Sequence, residues 1–451
     1  MKFSMMLLLA GAALAGCSSS DDITADMNKE KPAPEQVETP TEKEEPADQA
    51  PSEETTPVEF TRMVNLTEDQ KSAVTKNNDF AFNFYRAVTK TKALAGKSNV
   101  ISPLSLTYAL GMINAGATGK TAEEITNLLG FGAGDTNAVN QLCSQIIEEA
   151  PKTDSQIALG IANCLAADRS LSLVGNYQQV LSRYYQAETA TLDFGTKEAV
   201  DYVNGWCSRQ TDGMIPKIVD ELDGVMAVLN AISFKAPWSG KFEVAETTDE
   251  PFTKEDRTKA MVPMMHRFDY IYHTVVWAGV KDCLYSMIAM PYGEGKNWRM
   301  YVLLPSEGKS VADVLNSLNA TEWSKLTRSD AMQYAGEKID VKIPRFQSAS
   351  ELDLKEVISG MGAPSMFLPR GEFSLISQNY KDLTVGRIKQ KAAIEVSEEG
   401  SEAAAVTIGV MITSNGSEQT TPLFHCNRPF VYLIQEESSG AVFFIGTYRG
   451  E

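Results

Sequence analysis

The sequence predicts an α+β fold, and three observations carry that reading. Apolar residues make up 43% of the chain, enough for a sizeable core. Helical periodicity marks several stretches between Asp79 and Arg209. Short apolar runs of buried-strand type take over from Val225 onward. Helices first and strands later, without regular alternation, is the order of an α+β chain.

The chain has 451 residues, with 41 basic and 59 acidic side chains and a formal net charge of −18. At about 150 residues per domain, that length suggests two or three domains. The acidic balance disfavours nucleic acid as a partner, because a phosphate backbone selects clustered Lys and Arg. Outside the N-terminus, no apolar run reaches the roughly 20 residues needed to span a bilayer.

Taken in order, Met1-Lys2 is a short basic start and Met5 to Leu14 an apolar stretch too short to cross a membrane. That pairing reads as a secretory signal. It ends in Leu14-Ala15-Gly16-Cys17, which resembles the lipobox of bacterial lipoproteins. Residues 1–16 would then be removed and Cys17 lipidated, and acyl chains at roughly 0.8 kcal/mol per buried CH₂ would anchor the protein. Residues 17–64 form an acidic, Pro-rich spacer expected to be disordered. From Ser18 to Phe60 it carries thirteen acidic and three basic side chains and six prolines. Such a segment cannot bury enough apolar area to offset its ordering entropy. Asp21 and Asp22 resemble surface-export signals of some Gram-negative bacteria. The expected location is the bacterial cell envelope, at the outer membrane, with the periplasmic or the surface face left open by the sequence.

The body is expected to run from 65 to 451. Asp79 to Thr89 has apolar residues at helical spacing. Ser102 then caps a helix with Pro103 in its first turn, running through Leu104, Leu106, Ala109, Leu110 and Ile113. Thr121-x-x-Glu124 is a capping-box pattern opening a further helix to Leu129, and Ala199 to Arg209 reads as helical too. The strand candidates are Val225 to Phe234, Met287 to Pro291, Met300 to Leu304 and Val341 to Phe346. Lys391 to Val396, Phe430 to Gln435 and Ala441 to Thr447 complete them.

Chemical motifs are scarce. The three His, at 266, 273 and 425, show no HxxxH or HExxH spacing, and no GxSxG elbow occurs. Gly119-Lys120-Thr121 is not a phosphate loop, because Asn114 stands where the first glycine belongs; it reads as a glycine turn ending a helix. Gly293-x-Gly295 reads as a turn. Cys143, Cys164, Cys207, Cys283 and Cys426 show no short spacing, so they are expected as buried apolar thiols rather than metal ligands. No enzyme, metal or cofactor is implied.

One segment demands a mechanism. After the strand-like Ile394 to Ser397 come Glu398-Glu399-Gly400-Ser401-Glu402-Ala403-Ala404-Ala405-Val406-Thr407, then an apolar run to Ile412. The stretch is too apolar for an inert linker and not amphipathic as a helix. As a strand, Ser401, Ala403, Ala405 and Thr407 would share one face, all small enough to enter an existing core. It reads as a strand kept outside its sheet.

Those residues resemble the hinge of the reactive-centre loop of inhibitory serpins, and the resemblance covers nearly the whole body, from Asp79 to Gly450. Asn99 to Leu106 resembles the family's NVxxSPxSI helix start, and Gly116 to Thr121 its GAxGxT turn. Asn204 to Pro216, Asn230 to Trp238, Val262 to Met265, Asn427 to Phe430 and Phe444 to Gly446 match further motifs in order. The resemblance implies a single domain of three β-sheets surrounded by about eight or nine helices, replacing the two-domain length expectation. An exposed loop would occupy about 398–422.

It also implies a monomeric suicide-substrate inhibitor of serine, and in some cases cysteine, proteases. The protease cleaves the loop, forms an acyl-enzyme, and is trapped as the loop inserts into the main sheet. Ser102, Ser105 and Asn230 would form a polar shutter, with Gln390 where the family usually has His; Trp238 would sit at the breach where insertion begins. The scissile bond is bracketed among Met411, Ile412, Thr413, Ser414, Asn415 and Glu418. No Lys or Arg lies between Lys391 and Arg428, which disfavours trypsin-like targets against elastase-, subtilisin- or chymotrypsin-like ones. The alternative is a non-inhibitory serpin-like binding module on the cell surface. The intact hinge favours inhibition, and Val406 is bulkier than the family's usual residue.

Overall fold

The computed structural model describes residues 62–279, 282–327, 333–334, 338–370, 372–377, 379–401 and 422–451. Among them, a seven-stranded sheet is built on Trp298–Pro305, Phe430–Glu436 and Ala441–Tyr448, each buried along its whole length. A strand covered on both faces needs continuous apolar residues rather than alternation, which is why these runs stand out in the sequence. Asn99–Ile101 flanks this trio on one side; Asp282–Tyr292, Tyr272–Gly279 and Gln333–Tyr334 follow on the other. Gly293 turns the hairpin that sets Tyr292 opposite Trp298, at φ +66.

A second, four-stranded sheet runs in the order Leu423–His425, Ile339–Pro344, Lys259–Asp269, Thr248–Thr253. The main sheet is split. Glu188–Leu192, Ala158–Asp168 and Met226–Pro237 form one half, and Phe346–Asp353 with Lys389–Val396 the other. No hydrogen-bonded register joins Met226–Pro237 to Lys389–Val396 among the described residues, yet the two strands are neighbours. A slot lies between them.

Nine α-helices lie among the described residues, and the helix Lys197–Gln210 covers the outer face of the first half-sheet. Trp206 and Val203 there pack with Cys164, Ala166, Leu229 and Ala231 in a small core of their own, apart from the large central one.

Several boundaries differ from the sequence expectations. The first helix begins at Glu68, not near Asp79, because Thr67 and Gln70 form a reciprocal capping box ahead of a polar first half. Gly119 opens the helix Gly119–Leu128 at φ +56 and does not end one. Thr121 lies inside that helix and is no cap: its hydroxyl donates to Glu372 Oε2 at 2.6 Å. The strand Ala158–Asp168 escaped the sequence reading, because four of its eleven residues are Ala, which has little intrinsic β preference. Its ladder with Met226–Pro237 holds it in place.

Candidate functional site

The site forms where Lys389–Val396 ends. Ser397 N donates to Gly400 O at 2.8 Å and Gly400 N returns to Ser397 O at 3.2 Å, so the chain folds straight back. It then enters the slot: Gly400 pairs with Pro237 and Ser401 with Ala236, antiparallel. The expected exposed loop is therefore not exposed at its first residues, 398–401. Glu398, Gly400 and Ser401 are buried, and the hinge is already seated as the first residues of a new strand. The rest of the hinge, Glu402, Ala403, Ala404, Ala405, Val406 and Thr407, lies outside the described residues, as do the scissile candidates Met411 to Glu418 and Cys17.

Trp238 holds this entry. Its indole N–H donates to Ser397 O at 2.9 Å and its backbone N to Glu399 O at 2.8 Å. Its ring stacks on Tyr292 with centroids 4.2 Å apart, and the Tyr292 hydroxyl lies 2.9 Å from Ser401 Oγ. Burial pushes the Tyr292 phenol far above its ordinary value, so it stays protonated. Glu398 accepts from the Thr247 hydroxyl at 2.7 Å and faces Arg345 at 3.4 Å; Glu399 pairs with Lys241. The Glu398 side chain is 4% exposed against 47% for Arg345, so a buried carboxylate is held by a cation reaching in from solvent. Tyr292, Thr247 and Arg345 were not singled out in the sequence; an aromatic just before a glycine turn is too common a signal.

Lower in the slot the predicted shutter residues come together. Ser102 caps its helix by accepting from Ser105 N at 3.2 Å, while the Ser105 hydroxyl donates to Asn230 Oδ1. Asn230 Nδ2 donates to Asn163 Oδ1 at 2.7 Å, and Asn163 Nδ2 to the carbonyl of Tyr185 at 2.7 Å, extending the network by a residue the sequence did not reveal. Gln390 joins from the opposite edge, donating to Ser102 O at 2.7 Å, and its buried Oε1 has no partner among the described residues. Beneath, a cavity of about 500 Å³ separates Val225–Leu229 from Leu383–Lys389, floored by Ala109, Ile113, Phe373 and Ile376.

Cys143, Cys164, Cys207 and Cys426 are buried and Cys283 half-buried, all as free thiols. Burial pushes the Cys207 thiol up to about 11 and that of Cys164 to about 12, which leaves them inert. Among the described residues no group of three or more His, Cys, Asp or Glu is placed to hold a metal ion, and no helix is long and apolar enough to cross a membrane.

Comparison with known proteins bears on this split sheet. The family model "Serpin (serine protease inhibitor)" matches residues 75–449. Serpin B6 of Macaca fascicularis is 29% identical over 82% of this chain and 97% of its own. An uncharacterised serpin-like protein of Thermococcus kodakarensis is 31% identical over 91% of this chain and 93% of its own. Among solved structures, human thyroxine-binding globulin, crystallised with thyroxine, superposes with a TM-score of 0.74 at 26% identity, covering 85% of this chain and all of that one. The thermophilic serpin tengpin in its native state gives 0.74 at 24% identity over 86% of this chain and 95% of that one, a likeness of fold. With the family model matched over most of its length, this chain belongs to the serpin family.

Proposed function

We propose that this protein is a suicide-substrate inhibitor of serine proteases that traps its target by drawing the cleaved loop into the slot. The carrying observation is that Gly400 and Ser401 are already paired to Pro237 and Ala236 at the top of an otherwise unpaired gap. Continued in register, the same antiparallel pairing sets Ala403 opposite Phe234, Ala405 opposite Ile232 and Thr407 opposite Asn230. Phe234 and Ile232 face the central core, where small partners are needed. Val406 would fall opposite Ala231 and Ile408 opposite Leu229, which face the apolar underside of the helix Lys197–Gln210. Bulk at Val406 is then accommodated. Met411 would arrive opposite Met226, at the cavity under the slot.

Targets with elastase-, subtilisin- or chymotrypsin-like pockets fit a loop without Lys or Arg better than trypsin-like ones, which require a cationic side chain. The same proposal places the protein in the cell envelope, tethered through lipidated Cys17. A single experiment tests the inhibitory reading. Incubation with pancreatic elastase should give a covalent band on a denaturing gel, whereas trypsin should give none. Protein nicked in the loop should melt more than about 10 °C above the intact form, since a new central strand adds several kcal/mol. Clean cleavage with an unchanged melting temperature would sink it and favour a non-inhibitory binding module, which thyroxine-binding globulin shows this fold can be.

A further inference from the structure

We propose that an ion-pair network on the outer face of the split main sheet is a latch, which holds the two halves together across the slot and sets how readily the slot opens. The latch is read from geometry alone; its bearing on the trap rests on the inhibitory reading.

One side of it stands on the half-sheet of Phe346–Asp353 and Lys389–Val396. Burial alternates along both strands, so Gln390 and Ala392 face the core while Lys389, Lys391, Glu351 and Asp353 face outward. The register sets Glu351 beside Lys391 and Asp353 beside Lys389. Lys391 lies 2.9 Å from Glu351 and Lys389 3.7 Å from the same side chain, while Arg387 lies 3.5 Å from Asp353.

The other side comes from the connection between the helix Lys197–Gln210 and the strand Met226–Pro237. Ile218, Val219 and Leu222 are buried there in the small core under the helix. Asn204 Oδ1 fixes the turn, accepting from Ile218 N at 2.8 Å and from Val219 N at 3.0 Å. Asp220 and Glu221 are left exposed beside the slot. Asp220 Oδ1 meets Lys217 at 2.7 Å, its Oδ2 accepts from Lys389 at 3.3 Å, and Glu221 lies 3.5 Å from Arg387. Hydrogen bonds from Lys217 and Lys389 hold the Asp220 carboxyl below its ordinary range, so it stays charged. Lys389 and Arg387 therefore each touch a carboxylate on either side of the slot.

Strand spacing turns these pairs into a brake. Cα atoms of Met226–Pro237 and Lys389–Val396 come within 8 Å of one another, with no ladder between the two strands among the described residues. A strand seated between them would hold them roughly 10 Å apart. Widening of that kind pulls Asp220 from Lys389 and Glu221 from Arg387, while the pairs within the half-sheet travel with it intact. An exposed pair is weak alone, but here several charges act as a network where backbone bonds are missing.

The test is hydrogen exchange at the Ile218 and Val219 amides, which reads how often the connection lifts. Lys389→Gln with Arg387→Gln, both on the far side of the slot, should speed that exchange about fivefold in about 0.02 M salt. Lys389→Arg alone should keep the native rate. In about 1 M salt the native protein should exchange as fast as the double variant, because screening has already opened the pairs. With pancreatic elastase, the double variant should at least double the ratio of covalent complex to cleaved product, since easier opening lets insertion outrun deacylation. Melting temperature checks the fold. Exchange within twofold of native in low salt overturns the latch, and so does a difference that survives high salt. Faster exchange at an unchanged ratio overturns its control of strand entry. If no form gives a covalent complex while exchange still answers to charge and salt, the inhibitory reading alone falls.

Discussion

At Gly400 one missing side chain decides whether the chain can enter the sheet. Its φ of +144 suits only glycine, and a Cβ there would stand 2.1 Å from the carbonyl of Ala236. Gly400→Ala should expel the hinge and strand the Tyr292 hydroxyl, at a cost of about 1–3 kcal/mol. The denaturation midpoint should drop, and the ratio of covalent complex to cleaved product should fall with it. Glu437 offers a second residue-scale prediction. It lies buried 3.2 Å from Arg299, with the Tyr301 hydroxyl donating at 2.9 Å. Burial outweighs the attraction of Arg299 and pushes this carboxyl up to about 7. A raised carboxyl favours the protonated form in the folded state. Its stabilisation is therefore complete below the unfolded value near 4.5 and is lost as pH rises through about 7. Stability measured from pH 4.5 to 7.5 should fall more steeply for the native protein than for Glu437→Gln, by on the order of 3 kcal/mol. Gly400 was legible in the sequence because the hinge is a local string of unusual residues. Glu437 was not, since nothing beside it in the chain tells that Arg299 would be its neighbour.

At the scale of elements, the slot is defined by two strands that approach without pairing. On the proposed insertion, the register begun at Gly400 and Ser401 would assign each of the small residues that follow a face. Ala405→Glu should place a carboxylate opposite Ile232 in the central core, where an unpaired charge is heavily penalised. Insertion should then lose to deacylation, turning nearly all of the protein into cleaved substrate on a gel. Val406→Ala, facing the apolar helix underside, should leave the ratio of complex to product within about twofold. The alternation of this segment was visible beforehand, because period-two patterning needs only the sequence. Which neighbour each face would meet was not. A strand such as Ala158–Asp168, lacking alternation and with Ile161 as its one β-branched residue, takes its conformation from the partners it pairs with on either side.

For the molecule as a whole, the proposed trap requires a state held by its barrier rather than by depth of minimum, and the two unpaired strands beside the hinge leave room for the strand it would gain. The chain alone determined that small residues follow Gly400, that Ser102 and Pro103 open a helix, and that buried strands crowd the C-terminal half. Those are properties of neighbouring residues: a cap needs its own first turn, and a pattern needs only its own repeat. Tertiary structure alone decided that Trp238 would close over Ser397, 159 positions away, and that Gln390 would reach Ser102 across 288. It also decided that Gly400 and Ser401 sit inside the sheet, where the resemblance had implied an exposed loop. Contacts between distant segments depend on how whole sheets pack, and no window of sequence contains both partners.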